Sequence, residues 1–249
     1  MAGLDVPEMN SFKAADGTNG TLSKYIPELS KVTQVTAKAN EGFGMDVLLA
    51  NWDVVGLAND NMLKTPDGKI IRLDAGGTFD YRAQGANKPY TSIPTEITTL
   101  LDPHINAKSA EIFSQMTRED MIKSLNKAVS LKDSAITQLL DDMGLTQYKE
   151  ALLKRKKFLK SMLEEIKATP QGKKSMLDYM TDIKHAAFDK AIASTKSLED
   201  LIDIKQALQF TTDKKIKENL LNKIDAKEKY LKALNPLSLI HISEPTRRV

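Results

Sequence analysis

Cysteine is absent from all 249 residues, which excludes disulfides and thiolate metal sites and fits a reducing compartment. Long apolar runs are missing too: none approaches the roughly 18 residues of a membrane-spanning helix, so no transmembrane segment is expected. Aromatic side chains are few, at 6%, with a single tryptophan, Trp52. Charge of one sign is scarce as well. The 36 basic and 33 acidic residues are well mixed and leave a net charge of only +3. That balance lacks the concentrated basic face that phosphate-backbone binding requires, so specific nucleic-acid binding is not expected. Histidine is too sparse for a zinc site: His104 follows Asp102-Pro103 in a surface turn, and His185 has no second ligand at metal spacing. The first ten residues carry acids early and lack the basic-then-apolar order of a secretory signal.

What remains is 41% hydrophobic, enough to build the core of one large domain or two small ones. Residues 6–12 and 21–26 read as short strands around a polar link, Ala14-Ala15-Asp16-Gly17-Thr18-Asn19-Gly20. Residues 30–51 read as helical, with Asp46 as an N-terminal charge on the apolar end of that helix. Residues 61–65 and 69–73 are strand-like and joined by Pro66-Asp67-Gly68, a strong turn signal. From Ile93 onward the pattern is helical: 95–101, 107–116, 118–129, 132–143 and 147–168. Thr117 caps the third of these, with acids in its first turn. Lys154-Arg155-Lys156-Lys157 reads as a solvated face, with Leu152, Leu153, Phe158 and Leu159 on the buried side. Thr169-Pro170-Gln171-Gly172 is the clearest boundary, followed by amphipathic, charge-rich helices over 173–195, 197–210 and 212–234.

The chemistry-bearing residues concentrate between Asn51 and Gly77. Asn51-Trp52-Asp53 ends a helix, Asp60-Asn61 opens the hairpin, and Asp74-Ala75-Gly76-Gly77 follows it. The two ends of a hairpin lie side by side, so Asn61 and Asp74 can converge on one cation. Carboxylate and carboxamide oxygens are the donors that magnesium prefers. An acid followed by Asn and then a second acid is also the order that phosphoryl transfer needs. The first carboxylate orients a hydroxyl, and the other two groups hold the metal on nucleotide phosphates. Asp60 is a weaker candidate, because neighbours on a strand face opposite ways.

On Leu48-Leu49-Ala50-Asn51-Trp52-Asp53-Val54-Val55-Gly56-Leu57, Asp60-Asn61, Arg72-Leu73-Asp74-Ala75-Gly76-Gly77 and Tyr81-Arg82-Ala83-Gln84-Gly85, the chain resembles the C-terminal lobe of the protein-kinase-like superfamily. It is particularly similar to phosphatidylinositol 4-kinases and bacterial persistence-toxin kinases, and to kinase-like modules of phage head-morphogenesis proteins and bacterial effectors. The resemblance covers roughly half the chain, from Phe43 to about Leu163. It implies an α+β, mostly α fold: a remnant of N-lobe strands and hinge over 1–30, a kinase-like C-lobe over 31–168, and a helical extension over 173–236. It further implies Asp53 as the catalytic carboxylate with Asn51 pinning its loop, Asn61 and Asp74 as Mg2+ ligands, and Lys24 and Gly76 at the nucleotide, ATP. Gly76 and Gly77 would supply positive φ and close backbone approach.

The pattern departs from the family in two places. The gap between Asp53 and Asn61 is longer than in most kinases, and no Gly-x-Gly-x-x-Gly loop occurs. Lys13 and Lys24 also lie late for the strand lysine that grips phosphates. The expectation is therefore an ATP- and magnesium-dependent phosphotransferase fragment acting on a protein or lipid hydroxyl, inactive if its nucleotide grip is missing. The alternative is a non-catalytic kinase-like interaction module of a phage structural or effector polyprotein, with a protein partner on the C-terminal helices. Its place would be the cytoplasm, a virion, or a host cell into which it is delivered. Finally, the string Leu237 to Arg247 resembles the translated read-through of a sequencing-library adapter, so 237–249 are expected to be an artefactual tail and His241 no ligand.

Overall fold

The computed structural model describes residues 6–34, 36–82, 86–211 and 214–234. The adapter-like tail, Ala83-Gln84-Gly85 and the first two residues of the expected 212–234 helix lie outside the described residues. The protein is α+β and mostly helical, with 54% helix and 7% strand.

The chain opens with an antiparallel hairpin, β1 (Met9–Lys13) and β2 (Asn19–Ser23), in which Lys13 faces Asn19. Its turn is held by Asp16, whose carboxylate accepts the Thr18 backbone N–H at 2.9 Å, and by Gly17 at φ 86°. A second sheet has the order β3-β4-β5, all antiparallel: Ser30–Lys31, Met62–Lys64 and Ile70–Arg72. The β4–β5 hairpin has the expected turn, with Gly68 at φ 81° and its N–H donating to the Thr65 carbonyl at 2.9 Å.

The helix expected over 30–51 is instead a short strand followed by two short helices, α1 (Ala37–Asn40) and α2 (Phe43–Leu48). Thr36 starts α1 late by accepting the Ala39 N–H at 3.1 Å. Gly42 lies between the two helices, and the Arg72 guanidinium occupies the space a side chain there would need. Asp46 does stand in the first turn of α2, as expected, but it is buried there. It is 1% exposed, and both its oxygens accept from Arg72, the shortest contact being 2.6 Å.

The remaining helices are α3 (Glu96–Thr99), α4 (Ala107–Phe113), α5 (Arg118–Val129), α6 (Asp133–Asp142), α7 (Lys149–Ala168), α8 (Met176–Ser194), α9 (Leu198–Ala207) and α10 (Lys214–Leu234). Every α2 residue is buried, and the helix approaches α5 so closely that the Gly44 N–H donates to Ser124 Oγ at 2.5 Å. Thr117 and Asp120 form a reciprocal capping box that sets the start of α5. The loop after α7 separates it from α8, yet the apolar faces of both join one continuous core running from Val32 to Leu231. Among the described residues, no helix is long and apolar enough to cross a membrane.

Arg155 corrects the reading of a solvated basic face. Its side chain is fully buried, donating to the carbonyls of Val47 (2.6 Å), Leu48 (2.9 Å) and Thr91 (2.8 Å) and to Glu96 Oε2 at 2.5 Å. One side chain thus ties α7 to α2, to the segment before α3, and to α3 itself. Guanidinium, with five donors in a fixed fork, is the group able to serve that many acceptors.

Candidate functional site

Between α2 and β4 the chain makes a tight reversal. Ala50 takes φ 56°, and the Asn51 N–H turns back to the Asp46 carbonyl at 2.8 Å. Both backbone polar groups of Trp52 are then used: its N–H donates to Gly77 O at 3.3 Å, and its carbonyl accepts from Asn106 Nδ2 at 2.7 Å. Asp53 therefore projects from a clamped backbone. Gly56 at φ 78° lets the loop fold under, and the Asn61 N–H closes it onto the Val55 carbonyl at 3.2 Å.

Asn61 stands at the head of β4. Its carboxamide nitrogen donates to the Asp53 carbonyl at 2.8 Å and to Asp53 Oδ2 at 3.3 Å, so its oxygen is the end left to accept or coordinate. The ladder runs one pair past β5, with the Leu73 N–H donating to Asn61 O at 2.8 Å, which delivers Asp74 beside this loop. Burial pushes the Asp53 carboxyl above its usual range, and the negative charges of Asp74 and Asp60 push it further, against the Asn61 hydrogen bond. Among the described residues, no lysine, arginine or histidine forms an ion pair with Asp53, Asp60 or Asp74.

The glycine pair works through space, and neither member has positive φ. A Cβ on Gly77 would stand 3.1 Å from Asp53 Cβ and 3.2 Å from Asn51 Oδ1. One on Gly76 would stand 2.9 Å from Asp74 Oδ1, which accepts the Gly76 N–H at 2.6 Å. Asn51 does attach to the framework below, its Nδ2 reaching Asp46 Oδ1 at 3.4 Å. Its Oδ1 is buried and has no hydrogen-bond partner, an orphan acceptor against the backbone that carries Asp53.

In donor chemistry these groups suit a magnesium ion, Asn61 offering a carboxamide oxygen and Asp74 a carboxylate. Among the described residues, no three His, Cys, Asp or Glu side chains gather as a self-sufficient metal cage. A cation here would share its coordination with a ligand. Lys24 is elsewhere: it pairs with Glu8 at 3.9 Å, both side chains about 70% exposed, and makes no hydrogen bond with Asp53, Asn61 or Asp74.

Three neighbours were not legible as site residues. Lys88 is 8% exposed, donates to Gly77 O at 2.8 Å and to Tyr81 O, and is pulled down by burial to about 8. Glu96 and Thr99 line a cavity of about 440 Å³ that also takes in Trp52, Arg82, Lys88 and Ile105. The Arg82 guanidinium lies 5.6 Å from the Trp52 ring centroid, so Trp52 serves the loop side of this cavity as well as packing. No protein-family model matches this sequence, and searches among curated proteins and among solved structures find no match.

Proposed function

We propose that the protein is a kinase-like phosphotransferase, using magnesium and ATP to phosphorylate a hydroxyl on a protein or lipid. The observation that carries this reading is the Asn61 carboxamide fastened to Asp53 at 2.8 and 3.3 Å, beside an Asp74 carboxylate with no ion-pair partner among the described residues. Like charges held near each other at the surface repel modestly, and a cation that joins them relieves that repulsion. Asn61 and Asp74 would hold the ion, and the ion would supply charge neutralisation at the phosphates being transferred. Asp53 would accept and orient the substrate hydroxyl, and its raised proton affinity suits a group that must take up a proton. Lys88 and the clamped Trp52 backbone keep the Gly77 segment against this loop, so Asp53 and Asp74 hold their separation. The cavity lined by Arg82 and by Trp52, the residue before Asp53 in the chain, would seat the acceptor.

A second reading, a kinase-like interaction module without catalysis, is favoured by the Lys24–Glu8 pairing on the exposed hairpin, which engages the lysine assigned to the nucleotide. Calorimetric titration of ATP with and without Mg2+ separates the two. The phosphotransferase reading expects Mg2+-dependent binding, diminished by about 10-fold or more in Asn61→Ala and Asp74→Ala. It also expects transfer to fall by about 10²–10⁴-fold in Asp53→Ala. Equal binding by wild type and both metal-site variants would defeat it.

A further inference from the structure

A second cavity, of about 500 Å³, opens between α7, α8 and the start of α9, away from the Asp53 loop. Each helix turns one face to it at helical spacing: Lys154, Lys157, Phe158 and Ser161 from α7, Ala187, Lys190, Ala191 and Ser194 from α8, and Asp200, Asp203 and Ile204 from α9. Phe158, Ala187 and Ile204, with Ile93 from the segment before α3, make a buried apolar floor, and the two alanines on α8 leave the space empty.

The charges around the mouth are unequal. Lys154 is shared among Glu150 (2.8 Å), Asp200 (3.2 Å) and Asp203 (3.0 Å), one cation against three carboxylates, and Lys190 is taken up by Glu165; the lining itself carries four lysines against two aspartates. Lys157 and Lys196 have no carboxylate partner among the described residues. Two uncommitted ammonium groups over an apolar floor select an anion with an apolar body. The volume of this open cleft is in the range of small-molecule sites.

We infer that this cleft binds a small amphiphilic anion, its aryl or short acyl body on Phe158 and Ile204 and its acidic head between Lys157 and Lys196. This assignment is independent of the phosphotransfer reading. It has a structural consequence for that reading all the same. Ser92 and Ile93 in the wall continue from Thr91, whose carbonyl Arg155 holds at 2.8 Å, so an occupant would touch the chain leading back to Lys88 and Gly77.

Fluorescence titration of the full chain with anilinonaphthalene sulfonate tests the site, with calorimetry for stoichiometry. A single saturable site per chain is expected. Replacing both exposed lysines (Lys157→Gln with Lys196→Gln) should weaken it by about tenfold. Ser194→Trp, at an exposed rim position, should block it with unfolding temperature unchanged. Lys160→Gln, exposed on α7 outside the cleft, should bind as the unmodified chain does. Binding without saturation would overturn the assignment. So would undiminished affinity in the double-lysine or Ser194→Trp variant, and so would displacement of the probe by inorganic phosphate alone.

Discussion

Two layers of the same segment treat charge in opposite ways. Below the candidate site, Asp46 is matched by Arg72 and Glu96 by Arg155, each pair buried and closed at 2.6 Å and 2.5 Å. A few residues away, Asp53, Asp60 and Asp74 sit among backbone amides and a carboxamide, with no ion-pair partner among the described residues. The difference teaches which acids belong to the fold. Burying a carboxylate without a partner is expensive, so the matched acids are fixed in place by the cost of losing their arginines. Unmatched acids at the surface end of a rigid hairpin tolerate their mutual repulsion in water and gain most when a cation arrives. The buried pairs also aim the exposed acids: Arg72 ends β5 two residues before Asp74, and Asp46 holds Asn51 two residues before Asp53.

The largest effect should come from breaking the matched layer. Arg155→Met would leave Glu96 charged and unpaired and strip three carbonyls of their donor. A loss of roughly 3–5 kcal/mol is expected, measured by chemical denaturation. If the cost were below about 1 kcal/mol, Arg155 would not be the tie between α7, α2 and α3.

Arg155 also marks where the sequence stopped being legible. Its neighbours in a run of four cations argued for solvent, but Leu152, Leu159, Met162 and Ile166 lie on the same stripe at three- and four-residue steps. Periodicity therefore placed Arg155 inside, and composition misled. Elements set by local chemistry were readable: the Thr117 box fixes the start of α5 at Arg118, and Pro66-Asp67-Gly68 fixes the β4–β5 turn. Those set by distant partners were not. The need for glycine at position 42 depends on Arg72, thirty residues away, and the need for Gly77 arises from Asp53 and Asn51 standing where a side chain would go. In the candidate site, hairpin geometry was enough to bring Asp53, Asn61 and Asp74 into one neighbourhood. It said nothing of Lys88, whose isolated position in a loop carries no pattern.

Lys184 sharpens the comparison, because it is a buried cation that the fold leaves half matched. It is 5% exposed, donates to Thr98 Oγ1 at 2.7 Å, and feels Glu96, a carboxylate already paired with Arg155. Burial pulls it down to about 8 from an ordinary value of 10.5. Between those values the unfolded chain holds the extra proton, so stability should rise with pH from about 8 to 10.5. Lys88, also lowered to about 8, adds a slope of the same sign. Lys184→Met should stabilise the protein at neutral pH by roughly 1–3 kcal/mol and flatten the alkaline rise, read from denaturation midpoints across pH. An unchanged slope would mean that Lys184 is neutral or better partnered than its contacts suggest.

The smallest effect tests the unmatched layer most directly. Removing one of its charges should help the ion-free protein, opposite in sign to the loss at Arg155. Asp74→Asn keeps an oxygen to accept the Gly76 N–H while lifting the repulsion on Asp53. The Asp53 carboxyl should then fall back toward its ordinary range. Because Asp53 is partly exposed, solvent screening limits the gain to a few tenths of a kcal/mol at neutral pH. The raised proton affinity of Asp53 has a sign of its own. It favours the folded state below the ordinary carboxylate pKa, and that advantage disappears as pH rises through the raised value; in Asp74→Asn the loss should shrink. Mg2+ should raise the melting temperature of the unmodified chain and leave Asp74→Asn unmoved, since an ion stabilises only the state that binds it. If Asp74→Asn instead melts lower without Mg2+, or keeps the same Mg2+ response, then Asp74 belongs with Asp46 and Glu96 as a structural acid.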